Sequence, residues 1–326
     1  MKSWSRTGIL VSFVLSFFVF VLSFSVVEAF AYGVTTRRNI EYAVRDGVKL
    51  YGDLYHPVVR ERGRLRLPVV PVVIAVHGGG WGSGTNATYD HWGPYLAEAG
   101  FAVFAIDYRL TKPGQKSFPA AVYDVRAAVQ FVRAHASSLS IEPGRIALMG
   151  DGAGAHLAAL VTLANAEPQF SSQYKNDPNA GTPANVKAAV LFYGMYDLVA
   201  QWQHDQLARP LNQITEKFLG SQPMANRRLY FEASPLSYAT VGSNEPAFLI
   251  VYGTSDEVVD ATQQSQAFEA ALRRARFLAR RIEIPSVGHS WVSDPFNDPE
   301  SPNAYVGPRL KRFLDKALKG AGSPPS

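Results

Sequence analysis

The sequence predicts an α/β domain, a mostly parallel central sheet flanked by helices. Three observations carry this expectation. Short runs such as 69–76 and 101–106 are continuously apolar and β-branched, as strands buried on both faces are. Longer segments between them place apolar residues three and four apart, as helices with one buried face do. The two kinds alternate along the chain, and strand–helix–strand order builds a parallel sheet.

The elements follow in order. Residues 39–56 read as a hairpin: Ile40, Tyr42 and Val44 alternate, Asp46-Gly47 turns, and Val48, Leu50 and Tyr51 resume. Arg60–Leu67 reads as a basic connector. Strands are expected at Val69–Val76, Phe101–Ile106, Arg145–Met149, Ala188–Tyr193 and Phe248–Tyr252, with a weaker one at Arg281–Ile284. Helices are expected at Tyr89–Ala99, Ala120–Ala136, Ala153–Ala164, Thr262–Arg276 and Val306–Leu318. Glu167–Asn185 is polar and rich in Pro and Gly, hence a surface loop. Asp197–Pro246 interrupts the alternation and carries one helical piece near Leu211–Leu219. It reads as a small cap inserted over the strand ends, at about 197–246.

The chain has 326 residues, 47% hydrophobic and 18% charged, a globular balance. It has no Cys, which excludes disulfides, Cys-based metal or iron–sulfur sites and a Cys nucleophile. No HExxH or paired-His spacing points to a metal, and no cofactor motif is present. The net charge is +5, but Lys and Arg are dispersed and no nucleic-acid-binding motif accompanies them. At the N-terminus, Lys2 and Arg6 precede an uncharged run from Ile9 to Val27, followed by Ala29-Phe30-Ala31. That order is a secretory signal peptide, 1–31, leaving a secreted or periplasmic domain over 32–326 with no further membrane contact. An uncleaved N-terminal membrane anchor is the second reading, because the apolar run reaches spanning length. Removing Lys2, Arg6 and Glu28 leaves 30 basic and 26 acidic residues, a charge of +4.

In parallel sheets, sites form beyond the C-terminal strand ends. After the first buried strand comes His77-Gly78-Gly79-Gly80-Trp81-Gly82. Glycines there leave backbone N–H groups bare and close to a ligand, as an oxyanion hole requires; the plain alternative is a Gly-rich turn. After the third comes Met149-Gly150-Asp151-Gly152-Ala153-Gly154-Ala155-His156-Leu157. Asp256 lies after the fifth strand in Gly253-Thr254-Ser255-Asp256, where it could equally cap the next helix. His289 lies after the last strand in Val287-Gly288-His289-Ser290-Trp291. The remaining His residues, His77 and His156 included, read as structural. Asn86-Ala87-Thr88 is a formal glycosylation sequon beside the Gly-rich loop, a place that argues against its use.

In these motifs the chain resembles the α/β-hydrolase superfamily, in its hormone-sensitive-lipase-like and BD-FAE-like bacterial esterase/lipase families. His77–Trp81 matches their oxyanion motif, Asp107-Tyr108-Arg109-Leu110 the motif after the next strand, Phe118-Pro119-Ala120-Ala121 to Asp124 a further one, and Gly150–Ala158 the nucleophile elbow. The resemblance covers roughly 40–318. It implies an α/β-hydrolase fold and carboxylic-ester hydrolysis. It also implies Asp256 as acid, His289 as base, and an oxyanion hole from Gly78, Gly79, Gly80 and Ala153. The chain departs from the family at one place: the elbow pattern is G-x-S-x-G, and its central position here is Gly152. Asp151 as substitute nucleophile needs a shifted register that sets Met149 in a crowded turn.

A missing serine leaves three readings. The chain is an esterase from which the serine has been removed, a ligand-binding relative without acyl transfer, or an enzyme of other chemistry. In the last, the His–Asp pair abstracts a proton or activates water, as in a lyase or dehydratase. The partner expected is a small-molecule or polymer-linked ester. Trp81, Tyr193 and Trp291 are the expected substrate-binding aromatics, with Trp202, Tyr89 and Tyr196 as further members. The three-glycine loop resembles esterases more than peptidases.

Overall fold

A computed structural model describes residues 32–240 and 246–320; the expected leader, 1–31, lies outside the described residues. The strands are β1 (Gly33–Arg45), β2 (Val48–Glu61), β3 (Arg64–Arg66), β4 (Val70–Val76), β5 (Ala102–Ile106), β6 (Ile141–Asp151), β7 (Ala188–Phe192), β8 (Ala247–Gly253) and β9 (Ala279–Ile284). They form one sheet in the order β1-β2-β5-β4-β6-β7-β8-β9, with β3 paired to β2. From β5 to β9 every pairing is parallel; β1–β2 and β2–β5 are antiparallel.

The turn between β1 and β2 is Asp46-Gly47, both at positive φ, as a two-residue hairpin turn demands. Arg60–Leu67 is not a plain connector. Arg62-Gly63 repeats that turn conformation, so β2 runs on to Glu61 and folds back through β3.

The helices are α1 (Trp92–Glu98), α2 (Ala120–Ala134), α3 (Ala136–Leu139), α4 (Ala153–Ala164), α5 (Pro168–Ser171), α6 (Leu198–Ala208), α7 (Ile214–Leu219), α8 (Arg227–Ala233), α9 (Ala267–Arg274) and α10 (Pro302–Leu314). Strand alternation splits the core into two layers. Val72, Ile74 and Val76 of β4 pack with residues of α2, α4 and α9. Val73 and Ala75 face the other way, toward α1 and α10. Both layers are apolar, and this is why the strand runs lack polar alternation.

The stretch expected as a cap holds three helices, α6, α7 and α8, where one helical piece was expected. Asp197 caps α6 by accepting from the N–H groups of Val199 and Ala200. The buried stripe of α6 is Leu198, Gln201 and Asp205. Two of those three are polar, so hydrophobic spacing does not reveal the helix. The last helix starts at Pro302, not Val306, with Ser301 as its N-cap. Thr262–Gln266 forms a wider turn ahead of α9. This is an α/β-hydrolase fold: a mostly parallel sheet flanked by helices, with an inserted cap. Among the described residues no helix is long and apolar enough to cross a membrane.

Candidate active site

Parallel pairing brings the C-terminal ends of β4, β6, β7, β8 and β9 to one side of the sheet. Val76 pairs with Gly150, and Gly150 with Leu191, so the segments after these strands start level. The elbow follows β6. Gly152 turns the chain with φ 48° and ψ −113°, and α4 begins at Ala153. Its N–H donates to Phe192 O at 2.9 Å, and its carbonyl accepts from His156 N–H at 3.0 Å. A Cβ at Gly150 would overlap the Gly154 backbone, and one at Gly154 would overlap the Val76 carbonyl. At Gly152 there is room. The nearest atom to an ideal Cβ is His289 Nε2, at 3.5 Å. The elbow thus has the shape that crowds a nucleophile out over the cleft, with no side chain on it.

His289 arrives on the loop after β9. Its Nδ1 lies 2.7 Å from Asp256 Oδ2. Donation to that carboxylate puts the proton on Nδ1 and leaves Nε2 as the acceptor turned toward Gly152. Asp256 Oδ1 accepts from the N–H groups of Val258 (2.8 Å) and Val259 (2.9 Å). One oxygen of Asp256 thus orders its own loop and the other meets His289; it caps no helix, since the next helical turn begins at Thr262.

Tyr193 and Trp291 pack around this pair. The Tyr193 ring sits 4.5 Å from the His289 ring and 5.3 Å from that of Trp291, and its hydroxyl accepts from Val292 N–H at 3.1 Å. Both are buried, so they brace the histidine loop from beneath. Three non-glycine residues here adopt positive φ: Trp81 (60°), Tyr193 (38°) and Ser290 (66°). Backbone strain of that kind concentrates where geometry is over-determined by a site.

The Gly-rich loop follows β4. Gly79 (φ 95°) and Gly80 (φ 59°) need the freedom of glycine, and a Cβ on Gly79 would strike the Ser83 carbonyl. Gly78 departs from its expected role. Its N–H donates to Asp151 Oδ1 at 2.9 Å, so it is already engaged. Asp151 also accepts from Tyr89 O–H at 3.0 Å. Burial pushes its carboxyl up to about 6, against the pull of those hydrogen bonds and of His289. Held under the loop by two donors, Asp151 does not present itself as a nucleophile.

Trp81 corrects a second expectation. Its ring has no accessible surface; it stacks on Phe218 of the cap at 4.2 Å and donates from Nε1 to His156 Nδ1 at 3.2 Å. With Nδ1 accepting, His156 carries its proton on Nε2 and donates to Ala233 O at 2.8 Å. His156 is therefore a neutral bracket joining loop, elbow helix and cap, and burial lowers it to about 4. Tyr89, expected as a substrate-binding aromatic, instead holds Asp151, and neither this role nor the bracket is one that motif reading assigns. Both act through contacts more than sixty residues apart in sequence, which no local pattern encodes. Among the further aromatics, Trp202 donates to Glu216 and Tyr196 stacks on Phe268, so both are part of the packing.

Beside Gly79 and Gly80 opens a cleft of about 900 Å³, lined by Thr111, Lys112 and Lys116 on one side and Ile214, Glu216 and Lys217 of the cap on the other. Its size is that of a ligand pocket. Among the described residues no cluster of three or more His, Asp or Glu is placed to hold a metal.

Comparison with known proteins places the chain in a family. The BD-FAE family model matches residues 53–272. A protein of Mycobacterium tuberculosis described as a probable carboxylic ester hydrolase, LipM, is 31% identical over 281 residues, 84% of this chain and 62% of its own. Esterase LipQ of the same organism is 32% identical over 68% of this chain and 50% of its own. The chain thus spans about half to three-fifths of the length of these curated relatives. The native structure of esterase Est2 from Thermogutta terrifontis superposes with a TM-score of 0.65 at 22% identity, covering 91% of this chain and 96% of that one, a likeness of fold.

Proposed function

Because the chain belongs to the BD-FAE family of α/β-hydrolases, we propose that its site takes a carboxylic ester and hydrolyses it slowly, with water in place of a serine nucleophile. The observation that carries this reading is the Asp256–His289 hydrogen bond, with Nε2 turned to a roomy Gly152. The ester hydrolases among its relatives support the substrate class.

In the proposed step, His289 Nε2 takes a proton from a water lying where a serine oxygen would lie. The water oxygen bonds to the ester carbonyl carbon, and the carbonyl electron pair moves onto its oxygen, facing the N–H groups of Gly79, Gly80 and Ala153. Collapse expels the alcohol oxygen, which takes the proton back from His289. One ester and one water give one acid and one alcohol. Losing the nucleophile of a serine hydrolase costs on the order of a million-fold in turnover, and the oxyanion hole with binding retains roughly a thousand-fold over water. In this reading residues 1–31 are a leader removed on export, so the ester is met outside the cytoplasm.

Installing the hydroxyl tests the assignment. Gly152→Ser should raise turnover of short-chain aryl esters by about a thousand-fold or more, toward the roughly million-fold that a serine nucleophile supplies. No gain in a folded variant counts against Gly152, Asp256 and His289 as the site. The competing reading is a binding-only protein, favoured by the missing hydroxyl but making no use of the Asp256–His289 bond. His289→Ala in the unmodified chain separates the two: residual hydrolysis should vanish, and unchanged hydrolysis removes the water mechanism.

A further inference from the structure

A second groove lies at the opposite end of the strands from Gly152 and His289. It has a volume of about 320 Å³ and sits between the start of β8 and β9 and the flank of α10. Among the described residues β9 is the last strand of the sheet. Its floor is apolar, with Leu249 and Phe313, while Arg280, Arg309, Arg312 and Lys316 rim it, and among the described residues no carboxylate lines it.

The pattern of pairing sets these cations apart. On β9, Arg281 also borders the groove but reaches Glu269 at 3.3 Å; its neighbour Arg280 has no carboxylate within ion-pair reach among the described residues. On α10 and the turn after it, Lys311 and Lys319 both meet Asp315, at 3.3 Å and 2.9 Å. Arg309, Arg312 and Lys316, three and four apart, form the stripe toward the groove and have no such partner among the described residues. Arg309 donates to Tyr305 O at 2.7 Å and lies over the Tyr305 ring, 3.6 Å from its centroid. Like charges one helical turn apart repel and destabilise the helix, and a bound anion relieves that repulsion. Apart from Arg281, the cations facing the groove have no acid partner among the described residues, and they surround apolar surface.

We propose that this groove binds an anionic amphiphile, a medium-chain carboxylate whose head meets Arg280, Arg312 and Lys316 and whose tail lies on Leu249 and Phe313. A fork of arginines suits a carboxylate, and the floor suits a hydrocarbon chain. The proposal does not rest on the ester reading, since it uses none of the residues of that site.

The test is calorimetric titration of the whole chain with octanoate below its micelle concentration, beside 1-octanol and inorganic phosphate. Octanoate should bind at one site at least tenfold more tightly than either. Arg280→Glu with Arg312→Glu should weaken it at least tenfold at unchanged thermal midpoint. If that pair does not fold, Arg312→Gln with Lys316→Gln serves, with the same direction expected. Unaltered octanoate affinity in the folded variant overturns the proposal, because the binding is then elsewhere. Phosphate binding as tightly as octanoate overturns the amphiphile assignment. So does binding to phosphatidylglycerol vesicles without binding to monomeric octanoate, which would make the face a lipid-surface dock.

Discussion

At the elbow, three glycines within five residues are glycine for different reasons. Gly150 and Gly154 have no space for a Cβ, because each would drive one into neighbouring backbone. Gly152 has the space, and only its φ of 48° disfavours a side chain. Gly152→Ala should therefore cost about 1–3 kcal/mol, the usual charge for a strained φ. Gly154→Ala should cost more than that or prevent folding, since the Val76 carbonyl it meets belongs to the central strand β4. Urea-unfolding midpoints check the order; equal losses would mean that Gly152 is as crowded as its neighbours. The same numbers say that Gly152→Ser is a tolerable change, so a null result in an ester assay would speak to chemistry and not to collapse.

Between elements, one imidazole joins the Gly-rich loop, the elbow helix and the cap. Trp81 stacks on Phe218 of α7 and donates to His156 of α4, which donates to Ala233 of α8. Trp81→Phe keeps the stack and strands a buried acceptor on His156, which should cost about 1–3 kcal/mol. Hydrogen exchange locates the loss: protection should fall across 214–238 and stay unchanged in β6 and β7, and uniform loss would refute the bracket. This scale also shows what could be read beforehand. The central strands were legible because burial on both faces writes an unbroken apolar run, as in β4 and β8. β9 reads weakly because, at the sheet's margin, Arg280, Arg281 and Glu283 stay exposed. α6 was hidden because its inward stripe includes Gln201 and Asp205, where Gln201 Nε2 donates to Asp205 Oδ1 at 3.0 Å and to Val258 O at 3.0 Å. At the site, motif order suffices to put Gly152, Asp256 and His289 on adjacent loops. The engagement of Gly78 by Asp151 is not legible, because it depends on how two neighbouring strands bring residues 73 apart in sequence together.

For the molecule as a whole, Asp151 and His156 make opposing contributions to the response of stability to pH. Asp151 rises from 3.8 to about 6 on folding, so the native state holds its proton more tightly than the unfolded chain. Stability from this group is therefore greatest below about pH 4 and falls as pH rises through 6. His156 drops from 6.5 to about 4, so the native state resists its protonation. Its contribution is complete above about pH 6.5 and falls away as pH drops toward 4. Each shift is about two units, on the order of 3 kcal/mol, and the windows overlap, so the native chain should show a flattened profile between them. Asp151→Asn keeps an oxygen for Gly78 N–H and Tyr89 O–H but carries no buried charge. It should unfold at a higher denaturant midpoint than the native chain at pH 7, lose that advantage near pH 4, and slope upward with pH in between, following His156 alone. His156→Gln, read over the same range, should slope the other way. Midpoints at pH 4, 5, 6 and 7 decide it: parallel curves for the native chain and both variants would mean that neither buried group titrates in that window.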